Sequence, residues 1–406
     1  MVRDNLRRWV RLAVGGILLG AVLLVGARPE AQAQPANSPW PMFQRNDRHT
    51  GQGIVNGPLS SSPHVVWSFD GGGHRRHSPS VGVDGTIYLG VGRLPVLALD
   101  PANGSILWQA QGNAATADRS QAAVGANGHL YVGARDNDLW SIDASDGSTD
   151  WRFKAAFDGD VQTPPMIGPD GAVYMATDAL AAGQFYAVWP DGTQKWHTVI
   201  GGSPHNVSPA LSPDQETVYI TRGGKILVAL DADDGIEKWR SETPARPTGS
   251  RVANFTPVVG ADGTIFFAAR TGVFAFDPTD GAISWSFEPA RTQFASSPAL
   301  SSGGRLFVGG SSGQISTFYA LDADDGSELW QFALPLPCQF VNSQAAVGLN
   351  GTVYFGCGRM LYAFNGTSGA KIWEMVFSRG FQSGPILSAA GVLLVGNGST
   401  LYKVTD

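Results

Sequence analysis

Cysteine is nearly absent from this chain: Cys338 and Cys357 are the only two among 406 residues. They are neither adjacent nor in a CxxC spacing, and no His follows at the interval that covalent haem attachment requires, so a haem domain is excluded. Charge is scarce as well, at 15% of residues with a net of -6. A balance this thin and slightly acidic excludes a whole-surface nucleic-acid binder. Helical periodicity is missing too. No segment after residue 33 sustains apolar residues at a 3.6-residue period, and Gly or Pro interrupts every few positions. The one long apolar run, Leu12 to Ala27, is shorter than the roughly 20 residues of a spanning helix.

Around that run the N-terminus is informative. Arg3, Arg7, Arg8 and Arg11 precede it, and Ala31-Gln32-Ala33, a small-x-small site, follows it. This is the order of a secretory signal peptide, so residues 1–33 are expected to be removed. Retention as an anchor is the alternative. No cysteine lies near the cleavage site, which argues against a lipoprotein. The expected product is exported, periplasmic or extracellular, without a transmembrane span. In such an oxidising compartment the even pair Cys338 and Cys357 reads as a disulfide. Folding the chain about Leu349-Asn350-Gly351 puts Cys357 opposite Ser343, five residues from Cys338.

What the chain has in quantity is glycine, 52 residues, with 43% hydrophobic and 10% aromatic positions. These are written as one unit repeated eight times. Blocks like Ser-Pro-x-Val begin at Ser78, Ser120, Thr163, Ser208, Thr256, Ser297, Ser343 and Ser383. Each leads into a short β-rich run such as Thr86-Ile87-Tyr88-Leu89, then a second, then a turn with Asp or Asn and Gly, then Trp. The tryptophans at 67, 108, 151, 196, 239, 285, 330 and 373 recur about every 44 residues. Four short strands at that period predict propeller blades. The unit from Ser383 to Asp406 lacks its Trp strand, and Val65 to Phe69 supplies one. Pairing the two would close the ring and remove two sheet edges. The expectation is an all-β, eight-bladed β-propeller of four-stranded antiparallel blades over residues 64–406, with residues 34–63 as a lead-in. Blade 3 departs, with Trp189-Pro190-Asp191-Gly192 predicting a shorter turn.

The Ala-x-Asp-x-x-x-Gly-x-x-x-Trp units, clearest at Ala98 to Trp108, Ala229 to Trp239 and Ala320 to Trp330, resemble the tryptophan-docking motif of the pyrroloquinoline-quinone-like (PQQ-like) β-propeller repeats. The resemblance covers about residues 40–406, and Trp40-Pro41-Met42-Phe43 through His49-Thr50-Gly51 is similar to the lead-in of such proteins. It implies the fold more narrowly than the function, since the repeat serves quinoprotein dehydrogenases and an outer-membrane barrel-assembly lipoprotein alike. The dehydrogenases carry adjacent cysteines beside the quinone together with acidic and Asn calcium ligands. This chain has no adjacent cysteines, and it lacks the lipid-attachment cysteine of the lipoprotein.

Strand order assigns two faces. Fourth-to-first and second-to-third loops lie on one, the top, and the remaining turns on the bottom. Top loops carry more arginine and lysine than acid, whereas aspartate dominates the bottom turns. Arg93, Arg135, Arg222, Arg270 and Arg359 recur just after the second strand, where a planar guanidinium suits carboxylate, sulfate or phosphate. Arg76 and Arg119 add to the top. Residues just before each inner strand, among them His77, Gln162, Asn206, Asn254, Ser296, Asn342 and Gln382, form a polar ring poor in acids. Such a ring suits water, a glycan or a quinone rim better than a metal. Asp231-Ala232-Asp233-Asp234 and its copy at Asp322 imitate a calcium loop without the bidentate Glu, so no metal is expected.

The reading is an exported, non-catalytic and monomeric propeller without cofactor, binding an anionic small molecule, a glycan or a protein partner at its top mouth. Two alternatives stand: a PQQ-dependent dehydrogenase with a degenerate site, and a polysaccharide-binding or polysaccharide-cleaving protein. The mouth aromatics Phe255, Phe294, Phe340 and Phe381 favour the last, but an acid pair is missing.

Overall fold

The computed structural model describes residues 34–71, 78–91, 94–110, 121–134, 137–156, 161, 163–177, 183–202, 204, 207–244, 255–294, 296–313, 315–335, 338, 343–381 and 383–406. Among them there is no helix. Eight small antiparallel sheets make an eight-bladed propeller. Blade 4 shows the pattern: an inner strand Ala210–Leu211, a second Thr217–Arg222, a third Ile226–Asp231 and an outer Glu237–Glu242. Inner strands are short because the ring narrows toward its axis. Second and third strands are apolar on both sides and buried between neighbouring blades, whereas outer strands alternate toward solvent. The last blade is completed by the N-terminal strand His64–Asp70, which pairs with Thr400–Thr405 from His64 against Thr405 to Asp70 against Thr400.

Blade 6 departs from four strands. Its second and third strands, Arg305–Ser312 and Ile315–Asp322, run eight residues each and overreach the inner strand Ala299–Leu300. An added segment, Gln293–Phe294, pairs with Gly310 and Ser311 there. It satisfies edge groups that the inner strand is too short to reach.

Blades are joined by the tryptophans. Each outer-strand indole Nε1 donates to a backbone carbonyl of the next blade's third-to-fourth turn: Trp67 to Pro101, Trp108 to Ala144, Trp151 to Pro190, Trp196 to Ala232, Trp239 to Pro278, Trp285 to Ala323 and Trp330 to Gly366, at 2.7 to 3.2 Å. A buried indole needs such an acceptor, and the ring supplies the apolar contact. The turn presents a glycine to that ring. At Gly281, with φ +74°, a Cβ would come 2.5 Å from Trp239 Cε3, so both conformation and space demand glycine. In seven blades the Trp also packs on an aromatic of its own second strand, as Tyr88 on Trp108 and Phe307 on Trp330, with centroids 5.8 to 6.0 Å apart. In blade 3 the turn closes with Gly192 N–H on the Trp189 carbonyl, one residue tighter than Gly104 on Asp100 in blade 1.

At the eighth docking position the third strand Thr400–Thr405 and the outer strand His64–Asp70 are not consecutive in the chain, so no turn joins them. The lead-in replaces it. Trp373 Nε1 donates to the Pro58 carbonyl at 3.0 Å, and Asp406 Oδ1 accepts from Ser60 N–H at 2.6 Å. Asp100, Asp143, Asp231, Asp277 and Asp322 make the equivalent carboxylate contact with the N–H two residues on in their own turns.

Candidate functional site

Inner strands face the axis with unpaired backbone groups, and a buried N–H without a partner is costly. The lead-in satisfies them from the bottom side. Val81 N–H donates to the Trp40 carbonyl, Val124 to Pro41, Leu211 to Asp47, Val259 to Arg48, Leu300 to Thr50 and Val347 to Gly51, at 2.7 to 3.0 Å. Further on, Leu349 and Gly391 donate to Val55 and Asn56. One segment thus bonds to inner-strand ends and adjoining turns of seven blades. Its side chains fill the axis: Trp40, Met42, Gln44 and His49 are buried. Gln44 Nε2 donates to the Pro298 carbonyl, and the His49 ring nitrogens lie 2.7 Å from the Phe43 carbonyl and 2.6 Å from that of Pro209. Burial pushes the His49 imidazole down to about 4, against the pull of those two carbonyls.

Above this plug, inner strands are tied to each other by the Ser and Thr of the repeated Ser-Pro block. Ser208 N–H donates to Thr256 Oγ1 and Thr256 N–H to Ser297 Oγ, while Ser208 Oγ donates to the Pro164 carbonyl. Beside the lead-in lies a small cavity of about 10 Å³, bordered by Trp40, Phe43, Gln44, Gln121 and Gln344. Ser296, from the ring of residues preceding the inner strands, accepts from Gly309 N–H of its own blade.

On the top, three of the recurrent arginines are described. Arg222 ends its second strand with the guanidinium against Gly202, where a Cβ would lie 3.1 Å from Nη1. Arg270 donates Nη2 to Gln293 Oε1 at 2.5 Å, and Arg359 donates Nε to the Phe377 carbonyl at 2.8 Å. Each is thus placed by an upper loop that joins its blade to a neighbouring one. Cys338, in the loop from blade 6 to blade 7, is disulfide-bonded to Cys357 at the end of a second strand, with Cα atoms 5.3 Å apart and both residues buried. The bond pins that loop two residues from Arg359. Arg76, His77, Arg93, Arg119, Arg135, Gln162, Asn206, Asn254, Asn342 and Gln382 lie outside the described residues. Phe255, Phe294 and Phe381 are buried in the blades.

On the bottom, aspartates carry turn chemistry. Besides those named above, Asp84 and Asp262 accept from the N–H groups of Thr86 and Thr264. Hydrogen bonds from the Ser145 and Thr279 hydroxyls hold Asp143 and Asp277 below the usual carboxylate range. Much of the acidity of this face is thereby accounted for by folding. Among the described residues no three His, Cys, Asp or Glu side chains gather as metal ligands would, and no helix is long and apolar enough to cross a membrane.

A ring of docked tryptophans, floored by its own lead-in and open to loops above, is a PQQ-like repeat propeller. The chain belongs to the family described as outer membrane protein assembly factor BamB, which residues 92–272 and 253–405 match. Solved structures share the fold at low identity. Quinohemoprotein alcohol dehydrogenase from Comamonas testosteroni is 14% identical, with a TM-score of 0.76 over 90% of this chain and 80% of that one. BamB from Moraxella catarrhalis is 18% identical, with a TM-score of 0.65 over 85% and 100%. The serine/threonine-protein kinase AfsK of Streptomyces griseus is 34% identical over 149 residues, which are 36% of this chain. That match spans only 18% of the kinase's length.

Proposed function

We propose that the protein is an exported, non-catalytic propeller whose top-face loops bind an anionic ligand or an acidic segment of a protein partner. The observation that carries this reading is the floor: the lead-in bonds to the bottom ends of the inner strands and adjoining turns of seven blades, so the chain's own segment takes the bottom and the upper loops are left to a partner. Rigid blades with ligand-facing loops are a common way to build a binding surface. Arg222, Arg270 and Arg359 sit at or just after the end of the second strand in three blades, and Arg93 and Arg135 follow the second strand by sequence in two more. Membership in a family described as an assembly factor supports a protein partner. Export is supported by the Cys338–Cys357 bond, which calls for an oxidising compartment.

The test is titration with a fluorescein-labelled polyglutamate peptide at two salt concentrations. Affinity is expected to fall with salt, and to fall about tenfold or more when Arg93, Arg135 and Arg359 are all changed to Glu. Equal affinity of that triple variant would remove the top-face reading. Titration with PQQ in the same setting tests the dehydrogenase alternative, for which a shifted quinone absorbance is the positive result.

A further inference from the structure

A cavity of about 630 Å³ opens on the bottom face between the lead-in and blades 5 and 6. Its volume is that of a small-molecule site, and it lies at the opposite end of the ring from the proposed mouth. The lead-in forms its inner wall with Arg45 and Arg48, the Trp285 ring stands beside Phe266 in another wall, and blade 6 contributes Ser302 and Asp324. Two features give this space a chemistry. Arg45 is half-buried and its Nε has no hydrogen-bond partner among the described residues. Asp262 in the same wall is engaged by Thr264, whose N–H and hydroxyl both donate to its carboxylate. The guanidinium is correspondingly short of solvation: burial lowers its pKa more than Asp47 raises it.

A ligand that completes such a site brings an anionic group for the guanidinium pair, apolar C–H groups for the part of Trp285 that borders the cavity, and hydroxyls for the rim. A sugar ring supplies such C–H groups, and a uronic acid adds a carboxylate of the shape that arginine grips with two parallel bonds. Asp324, exposed at the rim, accepts hydroxyl protons, and Ser302 both donates and accepts. We propose that this bottom cavity binds an acidic sugar residue, its carboxylate held by Arg45 and Arg48, its ring against Trp285, and its hydroxyls toward Asp324 and Ser302.

Isothermal titration with D-glucuronate and D-glucose tests this on the full exported chain. Glucuronate is expected to bind at least tenfold more tightly than glucose, and Arg48→Gln to weaken it about tenfold. Because Arg48 belongs to the lead-in, a second variant works from the other wall: Ala261→Trp, at an exposed turn residue of blade 5, fills the cavity and is expected to abolish binding. Melting curves accompany both variants. The proposal is overturned if glucose binds as well as glucuronate, if a folded Ala261→Trp protein keeps full affinity, or if glucuronate gives no binding heat at about 10 mM.

Discussion

His49 makes two close contacts with carbonyl oxygens, and a neutral imidazole donates to only one of them. Burial holds the group near 4, whereas an unfolded chain titrates at about 6.5. Between those values the unfolded chain takes up a proton that the folded one refuses. Stability therefore rises with pH across that window and is lost as pH falls through it. His49→Gln keeps a donor without the titration, and is expected to flatten the wild-type slope by up to about 3 kcal/mol between pH 6.5 and 4. Urea unfolding of both proteins at several pH values measures this. A wild-type protein that gains stability relative to the variant on acidification would mean that an imidazolium donates to both carbonyls. At Gly281 the expectation is steric. Gly281→Ala must place a Cβ against the Trp239 ring at a positive φ, and should cost about 1–3 kcal/mol by thermal or urea unfolding. The need for glycine four residues after the turn Asp was legible in the repeat. The role of His49 was not, because both its partners are backbone carbonyls, which leave no mark in a side-chain pattern.

Among elements, the lead-in carries more structure than its irregular sequence suggests. Its carbonyls serve inner-strand ends and turns of seven blades, and Pro58 supplies the acceptor that the eighth docking turn lacks. Deleting residues 34–58 should therefore convert a single cooperative unfolding transition into a broad or absent one, as should deleting 64–70, which opens the ring. Differential scanning calorimetry reads both, and a sharp wild-type transition in either deletion would contradict the role given to that segment. The Trp strands were legible because each uses one large residue at a constant spacing. The extra segment Gln293–Phe294 was not, since it answers the length of two neighbouring strands rather than any pattern of its own. The Cys338–Cys357 bond joins positions 19 residues apart. Changing both to Ser should cost about 3 kcal/mol of stability by loop entropy, with unchanged unfolding of the reduced and oxidised wild-type chain as the contrary result.

At the scale of the whole molecule, the two faces do different things. The bottom is closed by the lead-in and by aspartates spent on turns, and the top is left to loops. Ring number, blade order and closure followed from eight spaced tryptophans and one displaced strand. The site is less legible, because a binding surface made of loops from many blades has no local sequence signature, and an arginine after a strand reads the same whether it meets a ligand or its own loop, as Arg359 meets Phe377. The measurement that bears most directly on the top-face reading is hydrogen–deuterium exchange with and without saturating polyglutamate peptide. Protection is expected in peptides spanning residues 91–94, 134–138, 222–225 and 357–360, with the lead-in 34–58 unchanged. Protection confined to the bottom turns and the lead-in, or none in any top loop under saturating conditions, would contradict it.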